Sequence, residues 1–417
     1  MTDTAPARPR PVHAAMDQFK VLDNCLQIAG RPLPDIVRDL GSTPAYLYDR
    51  AVMSAQVEKL RRAMPDGLHL HYAMKANPMP AVVNHLAGLT DGLDVASAGE
   101  LSVALASGVK PLDISFAGPG KSDADLRAAV DAGVIINMES ETEMARIAAL
   151  ADTLGKRPPV AIRVNPDFEL KTSGMKMGGG PKPFGVDAER VPTMLAELAQ
   201  LDLDFRGFHI FCGSQNLQPE AIIEAQGKTF DLAFRLAESA PTPVRWLNIG
   251  GGLGIPYFPG ERRLDLAPIA ERLENLLAQS AARLPEAEIV MELGRYLVAE
   301  AGVYVCEVVD RKVSRGETFL ITNGGLHHHL AASGNFGQVI RKNYPACIGN
   351  RVDPDGEAEN ATVVGPLCTP LDILADKMAL SRANVGDLVV IFQSGAYGFS
   401  ASPHHFLSHP APTEHLL

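Results

Sequence analysis

Between residues 46 and 295 the sequence alternates eight short apolar or β-branched runs with amphipathic stretches, and that beat restricts the fold more than any other feature. The runs are LHLHYAMK (68–75), LDVAS (93–97), ISFAG (114–118), VIINMES (134–140), VAIRVNP (160–166), FRGFHIFCG (205–213), WLNIGGG (246–252) and EIVMELGR (288–295). Between them, segments such as ETEMARIAALADTL (141–154) and LAPIAERLENLLAQSAARL (266–284) carry apolar residues at helical spacing. Strands that alternate with helices pair in parallel, because each helix carries the chain back across the sheet. Eight such units predict an α/β fold, a (β/α)8 TIM barrel. Past residue 296 the helical beat stops. VYVCEVVDRKV, ETFLITN, ATVVGPLC and DLVVIFQSG read as strands between Gly-, Asn- and Pro-rich turns, which predicts a mainly β C-terminal domain over 296–417. FKVLDNCLQIAGRPL (19–33) reads as a hairpin, so 19–45 is expected to join that domain, the barrel to span 46–295, and residues 1–18 to form a loose tail.

Composition narrows the function class. The 417 residues are 46% hydrophobic and 21% charged, which suits a folded chain of two or three domains. A net charge of −11 gives no electrostatic case for nucleic acid or an anionic membrane. No apolar run reaches the roughly 18 residues of a membrane span, and the N-terminal residues have no apolar core for a signal peptide. The five cysteines (Cys25, Cys212, Cys306, Cys347, Cys368) are widely spaced and lack a CxxC pair, so a reducing cytoplasm is expected. Cys212, Cys306 and Cys347 read as small buried apolar residues.

In a barrel of this kind the chemistry lies at the C-terminal ends of the strands. There the sequence places Lys75, Gly250, Gly251 and Gly252, and the pair Glu292 and Arg295. A lysine in a partly desolvated site, its pKa lowered, is the usual imine-forming nucleophile. Glycines let backbone N–H groups approach a phosphate, arginine grips one bidentately, and a carboxylate at the same rim must face something cationic. Amine, phosphate cradle and carboxylate together describe pyridoxal 5'-phosphate.

YAMKANP (72–78), DVASAGEL (94–101), FAGPGK (116–121), GSQ (213–215), GGG (250–252), ELGR (292–295), GPLC (365–368) and SGAYG (394–398) carry a resemblance. From about residue 40 onward the chain resembles the barrel-fold pyridoxal-phosphate decarboxylases of diaminopimelate, ornithine and arginine, whose β domain is of the alanine-racemase type. The resemblance implies that Lys75 holds the cofactor as an imine and Glu292 pairs with its ring nitrogen. It assigns the phosphate to Ser214, Gly252, Arg295 and Tyr397, with Asp94, Arg163 and His209 in support. It also implies a homodimer in which Cys368 reaches the partner's site as proton donor to Cα. Glu292 argues against a racemase, since the related alanine racemases place an arginine opposite the ring nitrogen. The β domain with Cys368 and Tyr397 argues against a cofactor-binding homeostasis protein, which has the barrel alone.

Three positions depart from the family. Phe211 replaces a histidine and can stack on the cofactor, Leu293 replaces a proline, and Thr369 follows Cys368 where diaminopimelate decarboxylases have an acidic residue for the distal ammonium. Arg295, Thr369 and Tyr397 are the expected substrate contacts. MKMGGGPKPFG (175–185), NGGLHHHLAAS (323–333), GPLCTP (365–370) and SPHHFLSHP (402–410) are most similar to a branch that includes a carrier-protein-linked glutamyl decarboxylase and exosortase-associated decarboxylases. They imply a small-molecule or acyl-carrier-protein-linked substrate, with diaminopimelate as the alternative. His327, His328 and His329 are expected to be loop or interface histidines rather than metal ligands, because consecutive residues on a strand alternate faces. The same holds for His404 and His405.

Overall fold

The computed structural model of the chain describes residues 11–169, 175–176, 178–353 and 358–417. Residues 1–10 of the expected tail and Met177 of the MKMGGG run lie outside the described residues. Each of the eight runs forms a strand: β1 Leu68–Ala73, β2 Gly92–Val95, β3 Ile114–Phe116, β4 Ile135–Met138, β5 Pro159–Asn165, β6 Asp204–Ile210, β7 Trp246–Asn248 and β8 Glu288–Leu293. Neighbours in sequence pair in parallel, and β8 returns to β1 with Glu292 opposite His71, so the barrel is closed.

Local sequence explains the helices between the strands. The helix Glu141–Leu154 starts where the Ser140 side chain accepts from the Glu143 N–H, with Glu141 and Glu143 at the positive end of its dipole. It stops at Gly155, whose φ of 60° is left-handed backbone that glycine adopts without strain. Met144, Ile147 and Ala151 form its buried face. Along the strands the pleat divides the labour. Leu93, Ile162, Phe208 and Leu247 are fully buried, each worth about 1.5–3 kcal/mol of apolar burial. The next residue of each strand, Asp94, Arg163, His209 and Asn248, points to the opposite face, the barrel interior.

The rest of the chain builds a mixed sheet around one long strand, β9 Gly302–Ser314. Its neighbours include β10 Glu317–Thr322, β11 Ala346–Ile348, β12 Glu359–Val364, β13 Ile373–Leu380 and β14 Leu388–Ile391, in the order β11–β14–β9–β10–β12–β13. Gly302–Val305 also pairs with Ala45–Tyr48, which in turn runs parallel to β15 Thr413–Leu416. The expected boundary at residue 46 therefore falls inside a strand of this sheet. The segment expected as a hairpin forms three short strands, Val21–Leu22, Cys25–Ile28 and Arg31–Pro32. It lays Phe19, Leu26, Ile28 and Leu33 on Val303, Val305 and Val390. Residues 12–18 are tied to the body: Val12 O accepts from Gly260 N, and Asp17 pairs with Arg263 at 2.7 Å. Among the described residues no helix is long and apolar enough to cross a membrane.

His327, His328 and His329 lie in a turn, not a strand, so alternation does not apply; the turn buries all three. The His328 and His329 N–H groups both donate to Gly325 O, at 2.9 and 3.1 Å. His328 Nε2 bonds Pro410 O at 2.8 Å and its Nδ1 bonds the Tyr304 hydroxyl at 3.1 Å. His329 Nε2 bonds Ser394 Oγ at 2.9 Å. The His327 ring sits 3.7 Å from that of His328 and 5.2 Å from that of His409, with both nitrogens buried and without a partner. The turn thus clamps the SPHHFLSHP segment onto the β domain.

Burial pushes His327 and His329 down to about 3 and His328 down to about 4. Unfolded histidines titrate near 6.5, so below that pH the unfolded chain binds protons that the native one refuses. Stability should be fully present above about pH 6.5 and fall as pH drops toward 4. Urea midpoints measured across that range check this, and His327→Phe should flatten the slope.

Candidate active site

Closure of the barrel brings Lys75 to Glu292. β1 ends at Ala73, and Lys75 follows in a single 3-10 turn, Met74–Ala76, while β8 delivers Glu292 on the adjacent strand. Lys75 Nζ stands 3.4 Å from Glu292 Oε1. On the other side Asn248 Nδ2 donates to Glu292 Oε2 at 3.5 Å, and His209 Nε2 lies 3.0 Å from the same oxygen without hydrogen-bond alignment. Burial would raise Glu292, but the Lys75 charge and His209 hold it well below the ordinary carboxylate range. Burial would also lower Lys75, as expected of an imine-forming lysine. Here the Glu292 carboxylate, together with Tyr397 and Asp94, outweighs burial, and the pKa of the free amine is raised instead. The Lys75 side chain is 46% accessible, and that surface faces a pocket at the rim of the barrel.

Lys75, Phe211, Ser214, Gly252, Glu292, Arg295 and Tyr397 line this one pocket. Its floor is two loops held together: Asn216 N donates to Gly252 O and Gly254 N to Asn216 O, both at 2.9 Å. Gly252 has a φ of 85°, and a Cβ there would stand 2.6 Å from Gly213 O. Gly250 and Gly251 serve close approach rather than lining: a Cβ on Gly251 would lie 2.1 Å from Glu292 O. The Arg295 guanidinium lies over the Tyr397 ring at 4.6 Å and donates to the Tyr257 hydroxyl at 2.9 Å. Tyr397 comes from the β domain, and its N–H donates to Ala76 O at 2.8 Å, next to Lys75.

Deeper in the barrel, Asp94 accepts from the Ser115 hydroxyl and lies 3.4 Å from His71 Nδ1. Arg163 Nη1 donates to Glu139 Oε1 at 2.8 Å. Gln215, which also lines the pocket, ends the GSQ motif, whereas Asn248, Tyr257 and Glu139 stand in no motif. Asn248 alone carried a signal, as a polar residue in the apolar run before GGG. Cys368 and Thr369 lie elsewhere, in the turn between β12 and β13, and do not line the pocket. Cys368 is exposed, and Thr369 Oγ1 accepts from Leu371 N at 3.3 Å. Cys212 and Cys306 are buried as expected, while Cys347 is partly so. A larger cleft beside the helix Arg50–Ala63 holds Arg263, already paired with Asp17 and Glu300, and brings no comparable set together.

The pocket fits pyridoxal phosphate. His209 Nδ1, Asp94 Oδ2 and Arg295 Nε are buried without hydrogen-bond partners, in and beneath a pocket that already carries an amine and a glycine-lined floor. Such groups are costly to leave unpaired unless a polar ligand completes them. Residues 50–299 match the family model for the pyridoxal-binding domain of pyridoxal-dependent decarboxylases. The chain is 40% identical to L-glutamyl-[BtrI acyl-carrier protein] decarboxylase of Niallia circulans, over 90% of this chain and 88% of that one. It is 32% identical to diaminopimelate decarboxylase of Aquifex aeolicus, over 92% and 88%. The solved diaminopimelate decarboxylase of Helicobacter pylori, complexed with L-lysine, superposes with a TM-score of 0.80 at 28% identity, covering 92% of this chain and 94% of that one. With the closed barrel, the β domain and the lysine–carboxylate pocket, these likenesses establish that the chain belongs to the pyridoxal-phosphate-dependent decarboxylases of the ornithine, arginine and diaminopimelate family.

Proposed function

We propose that this decarboxylase acts on an aminoacyl group whose far end carries no free ammonium, such as a glutamyl group on an acyl carrier protein. The observation behind the chemistry is the 3.4 Å apposition of Lys75 and Glu292 in a pocket with a glycine-lined floor. The bound cofactor supplies an electron sink for the pair left behind when CO₂ departs. Lys75 Nζ would hold the cofactor. Glu292, kept ionised by its neighbours, would face the ring nitrogen and keep it protonated, while Asn248 and His209 steady the carboxylate. Ser214, Gly252, Arg295 and Tyr397 would grip the phosphate, with Gly250 and Gly251 allowing the loop to approach, and the Phe211 face would support the ring. Asp94 and Arg163, deeper in the barrel, would support the site. The Cys368 thiol of the partner subunit in a homodimer would be the proton donor to Cα. Its exposure on its own chain, away from the pocket, supports that division.

Thr369 carries the substrate reading, together with the 40% identity to the carrier-linked glutamyl decarboxylase. A neutral hydroxyl leaves a distal ammonium without its ion pair, worth roughly 1.5–3 kcal/mol. An amide, thioester or carboxylate tail suffers no such penalty.

Three measurements test these roles. Borohydride should fix the cofactor on Lys75, located by peptide mass mapping, and Lys75→Ala should abolish the trapping; trapping that persisted would remove Lys75 from its role. Inactive Lys75→Ala and inactive Cys368→Ala proteins, mixed under conditions of verified subunit exchange, should recover activity in hybrid dimers. No recovery would put both residues to work in one chain. Diaminopimelate should be a poor substrate with kcat/KM well below about 10⁴ M⁻¹s⁻¹, and Thr369→Glu should raise that value about tenfold or more. Efficient turnover of diaminopimelate by the wild type would make lysine formation the better reading.

A further inference from the structure

One buried carboxylate outside the pocket ties together loops from three neighbouring strands of the barrel. Glu139 follows β4 and is 7% exposed. Its Oε1 accepts from Arg163 Nη1 at 2.8 Å and from Gly118 N, in the FAGPGK loop, at 2.6 Å. Its Oε2 accepts from Gly185 N at 2.9 Å, at the end of the GGGPKPFG stretch. Glu139 therefore joins loops that follow three consecutive strands, β3, β4 and β5, and adds the arginine that rises from β5 between them.

The arrangement leaves Arg163 little freedom. Glu139 holds one end of the guanidinium, and the Phe184 ring covers it at 4.9 Å. The 178–185 stretch that supplies Phe184 is itself anchored. Gly179 N donates to Asn165 Oδ1 at 3.0 Å, and Asn165 Nδ2 donates to Gly180 O at 2.9 Å. Gly185 cannot be exchanged freely, because its φ is 74° and a Cβ would stand 2.9 Å from Arg163 O. Behind Glu139, its own N–H donates to Glu143, which pairs with the buried Lys121 at 3.0 Å. On the site side, Arg163 pairs in register with His209, the residue beside Glu292.

We propose that Glu139 is a positioning residue: it fixes Arg163 against the Lys75–Glu292 pair and ties that arginine to the docked 178–185 stretch. The cofactor pocket is thereby coupled to a stretch that does not line it. Arg163 helps to hold Glu292 ionised and opposes protonation of Lys75. Glu139 stays ionised because Arg163, with Lys121 and the Gly185 N–H, overcomes the burial that would raise it. A purely structural alternative exists, since any buried arginine needs an anion, and the experiment must separate the two.

The role rests on the cofactor placement proposed above. Failure of that placement would appear in the wild type as no trapping on Lys75, whereas the outcomes here are differences between variants. The test is a double-mutant cycle of Glu139→Gln and Arg163→Lys, read by the dissociation constant of pyridoxal phosphate from apoprotein and by the pH midpoint of the bound cofactor's visible band. Each single variant should weaken cofactor binding about tenfold or more. Each should move the midpoint to higher pH, because a displaced arginine no longer opposes protonation at Lys75. The double variant should be no worse than Arg163→Lys alone. Should Glu139→Gln fail to fold, Glu139→Asp keeps the charge, shortens the reach and runs through the same cycle. Wild-type cofactor affinity with an unmoved band, or losses that multiply across the cycle, would reduce Glu139 to a structural anion and overturn the proposal.

Discussion

The architecture turns on putting two opposite charges inside a closed barrel and keeping both. An isolated carboxylate as buried as Glu292 would take up a proton, since burial penalises the charged form heavily. Four strands prevent this: β1 leads to Lys75, β6 brings His209, β7 brings Asn248 and β8 carries Glu292 itself. That set meets only if β8 closes on β1 in the observed register, and a slip of one residue would turn Glu292 to the other face. Barrel closure and active-site electrostatics are in this sense one constraint. The apolar residues that alternate with the site residues, such as Phe208 before His209 and Leu247 before Asn248, supply the burial energy that holds the register.

Much of this was legible in the sequence, for identifiable reasons. Strands buried on both faces leave continuous apolar runs, so β1 to β8 announce themselves, and the helix 141–154 is bounded by Ser140 and Gly155. The parts that escaped are those where tertiary pairing overrides local preference. β13, ILADKMAL, is rich in helix formers, yet it lies on β12 through a bulged register with Lys377 at a φ of 46°. Ala45–Tyr48 stands far in sequence from its sheet partners, and no local pattern reports a separation of that kind. The histidines lie in a loop as expected, but nothing local shows that backbone bonds to Gly325 curl that loop inward and bury all three.

The site divides along the same line. Lys75, Gly252, Glu292 and Arg295 sit at strand ends, where the fold itself directs attention. Glu139 and Tyr257 carry no motif, because they act by touching other side chains, and contact between distant segments is invisible in one sequence. Asp372 belongs with them. Its buried carboxylate accepts from Leu326 N at 2.6 Å and Leu367 N at 2.8 Å, joining the histidine turn to the loop that carries Cys368. Two of the four motifs that resemble this branch, NGGLHHHLAAS and GPLCTP, are thus neighbours in space, and a change in one will be felt by the other.

The strand Ala45–Tyr48 has one further consequence. The chain leaves the β sheet at Tyr48 and re-enters it at Gly302, directly opposite. The barrel is therefore an insertion between two adjacent strands, held by a double stem, and a double stem resists the hinge bending that a single linker permits. Lys75 of the barrel and Tyr397 of the β domain line one pocket, and the bond from the Tyr397 N–H to Ala76 O ties the two sides together. Opening the pocket by swinging the domains apart would have to bend both stems at once and break the bond from Tyr397 to Ala76, so room for a bulky substrate has to come from the loops that line the pocket rather than from the hinge.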